Sequence, residues 1–471
     1  LERLDAPGAT VKFAPFLLTA TAFAHVGSPD VYFDGQAGPY RVYVTVRAPQ
    51  VIPGVAEIEL RIPADGVDVV KITPTPLTGA GAKFAPTPDI ATRSAQDPKF
   101  YTGSLWMMSS GSWQVRVKVE GSRGEGELRV PVPALAQRTL EMDRTLGGIL
   151  TGLMVFLAVG MVSIFGAASR EGKLAPGLEA PSENVRRARL VMAGTAVAVV
   201  AIVYLGGLWW KAEAAGYSRI VYKPLGMKAT VEGTALRLAL EHTGWFQSSR
   251  FDDLIPDHDH LMHLFVVGEG DPERFWHLHP RTISDGVFEQ TLPEMPAGRY
   301  RLFADIVHRG GLPETMVATV EIPGVAGGEL IGDDSGASIA EGYRMTMDDP
   351  GTVRVRELKL LTFRLLDPAG RPAEGMELYL GMPAHAAVLR DDFAVFAHLH
   401  PTGTVPMASL ALARDPANPD PHAGHAMTPA QLPSEVTFPY GFPQTGRYKM
   451  YVQMKRAGKV ETGVFDIKVV E

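Results

Sequence analysis

Apolar and polar residues alternate in short runs across residues 25–140. Tyr40–Val46 (YRVYVTV), Ala56–Ile62 (AEIELRI) and Trp113–Val119 (WQVRVKV) carry the pattern, with Pro and Gly between them. Successive strand residues face opposite sides of a sheet, so a period of two predicts half-buried strands. Short strands separated by turn residues predict an N-terminal antiparallel β sandwich.

The pattern then changes kind. Residues 146–168 and 190–210 contain no charged residue. Each run is long enough to cross ~30 Å of hydrocarbon as a helix. Arg144 and Arg170 bracket the first, and Arg189 and Lys211 the second, with Trp209 and Trp210 at the second boundary. Two transmembrane helices are expected, packed through small residues such as Gly148 and Gly152. The short loop 169–189 holds Arg170, Lys173, Arg186, Arg187 and Arg189. Basic loops stay cytoplasmic, so both flanking regions are expected outside the cytoplasmic (inner) membrane in a two-pass topology. With no charge in either span, the helices read as anchors and not as an ion path.

Beyond residue 219 the chain repeats itself. His263–Pro280 reads HLFVVGEGDPERFWHLHP, and His385–Pro401 reads HAAVLRDDFAVFAHLHP. Gly298–Ile306 (GRYRLFADI) is matched by Gly446–Met454 (GRYKMYVQM), and the N-terminal region has GSWQVRVKV at Gly111–Val119. Each of the three begins with Gly, places an aromatic two residues on, and then alternates. An aromatic anchor entering a sandwich core explains that start. The expected fold class is mainly β: immunoglobulin- or cupredoxin-like sandwiches, one N-terminal and two repeated C-terminal, joined by a two-helix hairpin. The repeats are placed at 219–323 and 343–471, with a Gly- and acid-rich linker at 324–342.

Residues 13–24 form a short apolar stretch ending Ala22-Phe23-Ala24. This is the small-x-small pattern of a signal-peptide cleavage site, so 1–24 is expected to be a signal peptide and His25 the first mature residue. Composition adds exclusions. There is no cysteine, which removes thiol catalysis, thiolate metal sites and disulfides. The net charge is −7 without a long basic stripe, so nucleic acid is not an expected partner. HExxH, GxSxG and Walker sequences are absent, and no catalytic residue is assigned.

The chemistry lies in the histidines: of 13, all but His25 fall between 242 and 425. His277 and His279 sit at i and i+2, one face of a strand. Folding the preceding segment as a hairpin about Gly270 sets His263 opposite His277 and adds a third nitrogen. His258 and His260 lie just upstream in DHDHLMH, and His308 is in phase with the inward positions of its strand. The second repeat keeps His385, His398 and His400, and a loop adds His422 and His425 (HAGHAM). Imidazole with nearby Met262, Met382, Met407 and Met427, and no thiolate, suits copper, with zinc compatible. The competing reading makes these histidines strand-end caps. His242 reads as structural or exposed. Asp252, Asp253, Asp257 and Asp259 read as solvated loop residues.

The strand GSWQVRVKVEG, the run FRLLDPAGRPAEG at Phe363–Gly375 and the HLHP segments resemble the YtkA-like and FixH-like periplasmic immunoglobulin-type domains. A mature histidine after Ala24 is similar to the copper carriers of the CopC type, and only His25 carries over from that pattern. The order sandwich, two helices, sandwich also resembles the B subunit of particulate methane monooxygenase. These resemblances imply sandwiches exposed to the periplasm and copper handling. The expected protein is a non-enzymatic, membrane-anchored copper buffer or carrier, with the lipid bilayer and a membrane or periplasmic protein as partners. A docking subunit of a larger membrane complex and a copper-dependent oxidase-type subunit are the alternatives.

Overall fold

The computed structural model describes residues 25–26, 30–140, 142–175, 177–245, 250–324, 327–414 and 432–471. The expected signal peptide 1–24 and the loop histidines His422 and His425 lie outside them. Among the described residues the chain is mainly strand, with two long consecutive helices between an N-terminal and a C-terminal β region.

In the N-terminal region a five-stranded and a four-stranded sheet enclose one core. The alternation sets which side chains fill it: Tyr40, Val42, Val44 and Val46 from one sheet meet Trp113, Val115, Val117 and Val119 from the other. The three Gly-x-aromatic starts act alike. Trp113 Nε1 donates to the Ser109 carbonyl (2.9 Å), Tyr300 OH to Pro296 (2.7 Å) and Tyr448 OH to Gln444 (2.8 Å). Each buried ring thus satisfies its polar atom on the backbone four residues upstream, as in a tyrosine corner.

Helix α1 (Arg144–Glu171) and helix α2 (Ser182–Ser218) are long and apolar enough to cross a membrane. Both outrun the uncharged windows, because a helix can continue past the hydrocarbon boundary. Arg186, Arg187 and Arg189 therefore lie inside α2 and not in a loop. The expected packing through Gly148 and Gly152 is not found: a Cβ at either would meet nothing within 4 Å. The close approach is at Gly166, where a Cβ would overlap Met192 of α2. At the far end of α2, Tyr217 OH donates to the Ile52 carbonyl (2.9 Å) and Tyr222 N to the Ala136 carbonyl (2.7 Å). The N-terminal sandwich and the region after α2 therefore meet at one end of the helical pair.

Each C-terminal repeat has its own core between two sheets. In the first, Gly298–His308 lies between His263–Gly268 and Pro313–Ile322. In the second, Gly446–Arg456 lies between His385–Arg390 and Lys459–Val470. Register repeats as well: His263 pairs with Asp305 and His385 with Gln453, while Phe265 pairs with His277 and Ala387 with His398.

The two histidine-bearing sheets face each other. Leu264 and Val266 enter the first repeat's core, whereas Phe265 and Val267 join Phe275 and Phe303 against Ala387, Leu389, Phe396 and Tyr451. Phe275 stacks on Tyr451 (4.0 Å, 7°) and Phe303 on Phe396 (4.3 Å, 7°), a reciprocal pair across the interface. Burial on both faces explains why HLFVVG shows no alternation: all six residues of the strand are buried.

Candidate metal centre

The phase that sends Phe265 and Phe275 into the interface sends His263, His277 and His279 to the same side. The hairpin register differs from expectation by two residues, since His277 lies opposite Phe265 and not His263. A two-residue shift preserves the face, so the three rings still converge. Among the described residues two triads bring one nitrogen per ring within 4.8 Å of one another: His263, His277 and His279, and His258, His385 and His400.

The first triad is organised from outside. His263 Nε2 donates to the Asp257 carbonyl (3.0 Å), His277 Nδ1 to Gln453 Oε1 (3.0 Å) and His279 Nδ1 to Asp334 Oδ1 (3.1 Å). A neutral imidazole has one N–H, so each of these bonds leaves the inward nitrogen as a bare lone pair. His263 Nδ1 and His277 Nε2 nevertheless stand 3.1 Å apart, and His279 Nε2 is buried without a partner. Burial, reinforced by the neighbouring histidines, holds His263 and His277 well below the usual imidazole pKa. Burial also lowers His279, with Asp334 opposing. Rings kept neutral, with lone pairs turned together and N–H groups fixed outward, form a donor set for a cation.

The second triad crosses the repeat boundary. His258 Nε2 is 3.2 Å from His400 Nε2 and 3.3 Å from His385 Nε2. His400 Nδ1 donates to the Val405 carbonyl (3.1 Å). His385 and His400 are held well below the usual value, first by burial and then by neighbouring histidines. With metal–nitrogen bonds of ~2.0–2.1 Å, a tetrahedral ion separates its ligand nitrogens by about 3.3 Å. The observed nitrogen separations of 3.1, 3.2 and 3.3 Å have that scale.

The remaining expected ligands divide. His398 sits between the triads, its ring 5.3 Å from His263 and 4.7 Å from His400, so His258 replaces it in the converging second set. His260 stacks on His279 at 4.0 Å and reaches Asp333 at 3.6 Å. His308 is not brought to the cluster's donor sets. Its Nδ1 meets Asp253 and its Nε2 meets Glu314, both at 2.7 Å, so both nitrogens are committed to carboxylates. Burial opposes its charge, but Glu314 and then Asp253 outweigh it and raise the pKa. His25 pairs by backbone with Val395, three residues before His398 on the neighbouring strand. His242 stacks on Phe251. Met262 lies fully buried and packs in the first repeat's core.

Several site residues were not singled out as ligands or supports from the sequence. Asp257 is buried, not solvated, and its carboxylate accepts from Ala408 N (2.6 Å) while its carbonyl orients His263. The acid-rich segment expected as a linker supplies Asp334 to His279 and the strand Ser335–Gly336, which pairs beside His277. Tyr379 OH donates to the Asp333 carbonyl (2.8 Å) and lies 3.3 Å from His277 Nδ1. A cavity of about 160 Å³ opens between the N-terminal sandwich and both repeats, lined among others by Pro133, His260, His263, Asp305, His398 and His400.

Fold and site together define a mainly-β protein with two apolar helices and two histidine triads able in principle to chelate a metal ion. Residues 226–324 and 337–471 match one family model, described as a domain of unknown function (DUF8832). Both repeats are thus similar to the same family. No curated protein matches. Similar solved structures include a tetra-tandem repeat from the extending region of a large adhesion protein (9% identity, 90% of this chain and 72% of that one, TM-score 0.17). Another is Salmonella alpha-2-macroglobulin reacted with methylamine (9% identity, 94% of this chain and 23% of that one, TM-score 0.20). A third is the three N-terminal domains of the outer capsid protein Hoc of bacteriophage RB49 (9%, 52% and 59%, TM-score 0.13). At such TM-scores these likenesses carry no functional weight.

Proposed function

We propose that this is a membrane-anchored, extracytoplasmic metal-binding protein that holds copper on its histidine triads, for buffering or delivery to a partner. The observation that carries the reading is the facing of two bare nitrogens, His263 Nδ1 and His277 Nε2, at 3.1 Å. Each ring's single N–H is already given to an outward acceptor. No proton remains to bridge the pair, whereas a metal ion satisfies both lone pairs at once. All-imidazole donors suit Cu(II) first and Zn(II) second in order of affinity. The two apolar helices serve as the membrane anchor. The basic residues where the helices approach their connection, Arg170, Lys173, Arg186, Arg187 and Arg189, argue for a cytoplasmic hairpin and external sandwiches. The aromatic anchors of Trp113, Tyr300 and Tyr448 support an immunoglobulin-type reading of the sandwiches, in line with the resemblance to the YtkA-like and FixH-like domains.

An oxidase-type copper subunit is the second reading. The cavity touching His263 and His400 favours it, since it leaves room for a small ligand beside the metal. The deciding experiment measures metal in full-length protein purified in detergent, after loading with copper and with zinc, beside His277→Ala/His279→Ala. Retained metal that the double variant reduces, with an unchanged circular dichroism spectrum, supports binding. No retained metal in the parent refutes it. Oxygen consumption by the copper-loaded protein would favour the second reading.

A further inference from the structure

We propose that the two triads are halves of one binuclear centre, in which two copper ions sit close enough to couple and His258 ties the first repeat to the second. This rests on the metal-binding reading above. Neither triad stands alone. The His258 and His263 rings, one from each triad, are 5.9 Å apart. His398 fills the space between the sets, with its ring 5.8 Å from His277 and 5.5 Å from His385. Its Nε2 is buried without a partner. Beside it, Asp305 Oδ1 is also buried without a partner, while Asp305 Oδ2 lies 3.5 Å from His398 Nδ1.

A pair of unused donors between two three-nitrogen sets is what a shared centre requires. Three imidazoles leave each ion short of four ligands. His398 Nε2 supplies one further nitrogen, and the Asp305 carboxylate supplies negative charge between two like-charged ions. Asp334, on His279, adds a second carboxylate at the edge.

The centre is also a clamp. His258 lies in the first repeat, yet it completes the triad of the second. Gln453 belongs to the second repeat and fixes His277 of the first. The aromatic stacks hold the same two sheets together. Loading the centre should therefore bind the repeats to each other as well as hold metal.

The test titrates Cu(II) alone into full-length protein in detergent and follows metal content and electron paramagnetic resonance. Two retained equivalents with reduced integrated spin intensity, or a half-field line, are expected. His258→Gln should drop retention to one equivalent and restore an isolated Cu(II) spectrum. His398→Gln should keep both ions but change the coupling, which guards against a folding defect in the first variant. Two equivalents with full spin intensity and no half-field line would overturn the shared centre while leaving metal binding intact. So would a single equivalent in the parent, or His258→Gln retaining two coupled ions. Absence of any retained copper would overturn both readings.

Discussion

Gln453→Leu tests whether the histidine cluster is built for metal or only for packing. Gln453 is fully buried; its Oε1 accepts from His277 Nδ1 at 3.0 Å and its Nε2 donates to Ser335. Leucine of similar size removes the acceptor. In the metal-free protein, leaving the buried His277 N–H unpaired costs about 1–3 kcal/mol. Tyr379 OH, 3.3 Å away, can take up part of that loss. In a metal site the effect is different in kind, because the outward acceptor fixes the ring and raises the basicity of the ligating nitrogen. Losing such a partner weakens metal affinity about 10–100-fold, or about 1.4–2.7 kcal/mol. Chelator-competition titration of the full-length protein would read it, with the binding step lost in His277→Ala marking the first triad. Gln453→Glu, which offers a carboxylate acceptor, should retain or tighten that step. If Gln453→Leu lowers the melting temperature but leaves the affinity of that step within twofold of the parent, the outward bonds serve packing alone, and the argument from ring orientation fails.

Two further outcomes follow from other parts of the molecule. His308 has a raised pKa in the folded state, so its ion pairs contribute fully below the unfolded imidazole value of about 6.5 and are lost as pH rises through the folded value. The stability deficit of His308→Gln in urea titrations should therefore shrink from about pH 6 to about pH 9; a pH-independent deficit would show that the charge plays no part. Because the chain has no cysteine, single substitutions report topology cleanly. Lys173→Cys, between the helices, should react with an impermeant maleimide only after the cytoplasmic side is exposed, and Arg123→Cys without it. Labelling of both from one side would exclude the hairpin topology.

The sandwich strands were legible because one face of each is apolar and meets a core while the other carries polar residues, whether these are left partly exposed as at Arg116 and Lys118 or buried as at Thr45. YRVYVTV and WQVRVKV alternate for that reason, and Tyr40, Val42, Trp113 and Val115 are the core residues the alternation implies. The paired sheets of the repeats were not legible. HLFVVG and HAAVLR are buried on both faces, so their pattern gives no sign of which face meets the other repeat. The helices were legible as apolar runs, but their ends were not, since helical hydrogen bonding does not stop where hydrophobicity does. Their contact was placed at the wrong glycines for a related reason: small residues permit close approach, and only the geometry of the pair selects Gly166 over Gly148 and Gly152.

At the site, the period-two rule carried most of the information. His277 and His279 share a face whatever the hairpin register, so a two-residue error about His263 did no harm. His258 was visible only as a neighbour of the first set, and the reason is instructive. The turns Asp257–His260 and Tyr379–Met382 have the same form in the two repeats: each is closed by reciprocal backbone bonds between its end residues, and each puts its second residue at positive φ, 51° at His258 and 52° at Leu380. The backbone device is duplicated, but its chemistry is not. Where the second repeat has Leu380, the first has a histidine that reaches across to His385 and His400. An internal repeat predicts matching sites, one per copy, and that symmetry pointed to His385, His398 and His400 as a closed set. One substitution at a turn breaks the symmetry and frees His398 to lie between the two sets. In the proposed centre the two repeats act as a unit, and the first repeat expressed alone would carry its triad without the Gln453 that orients His277.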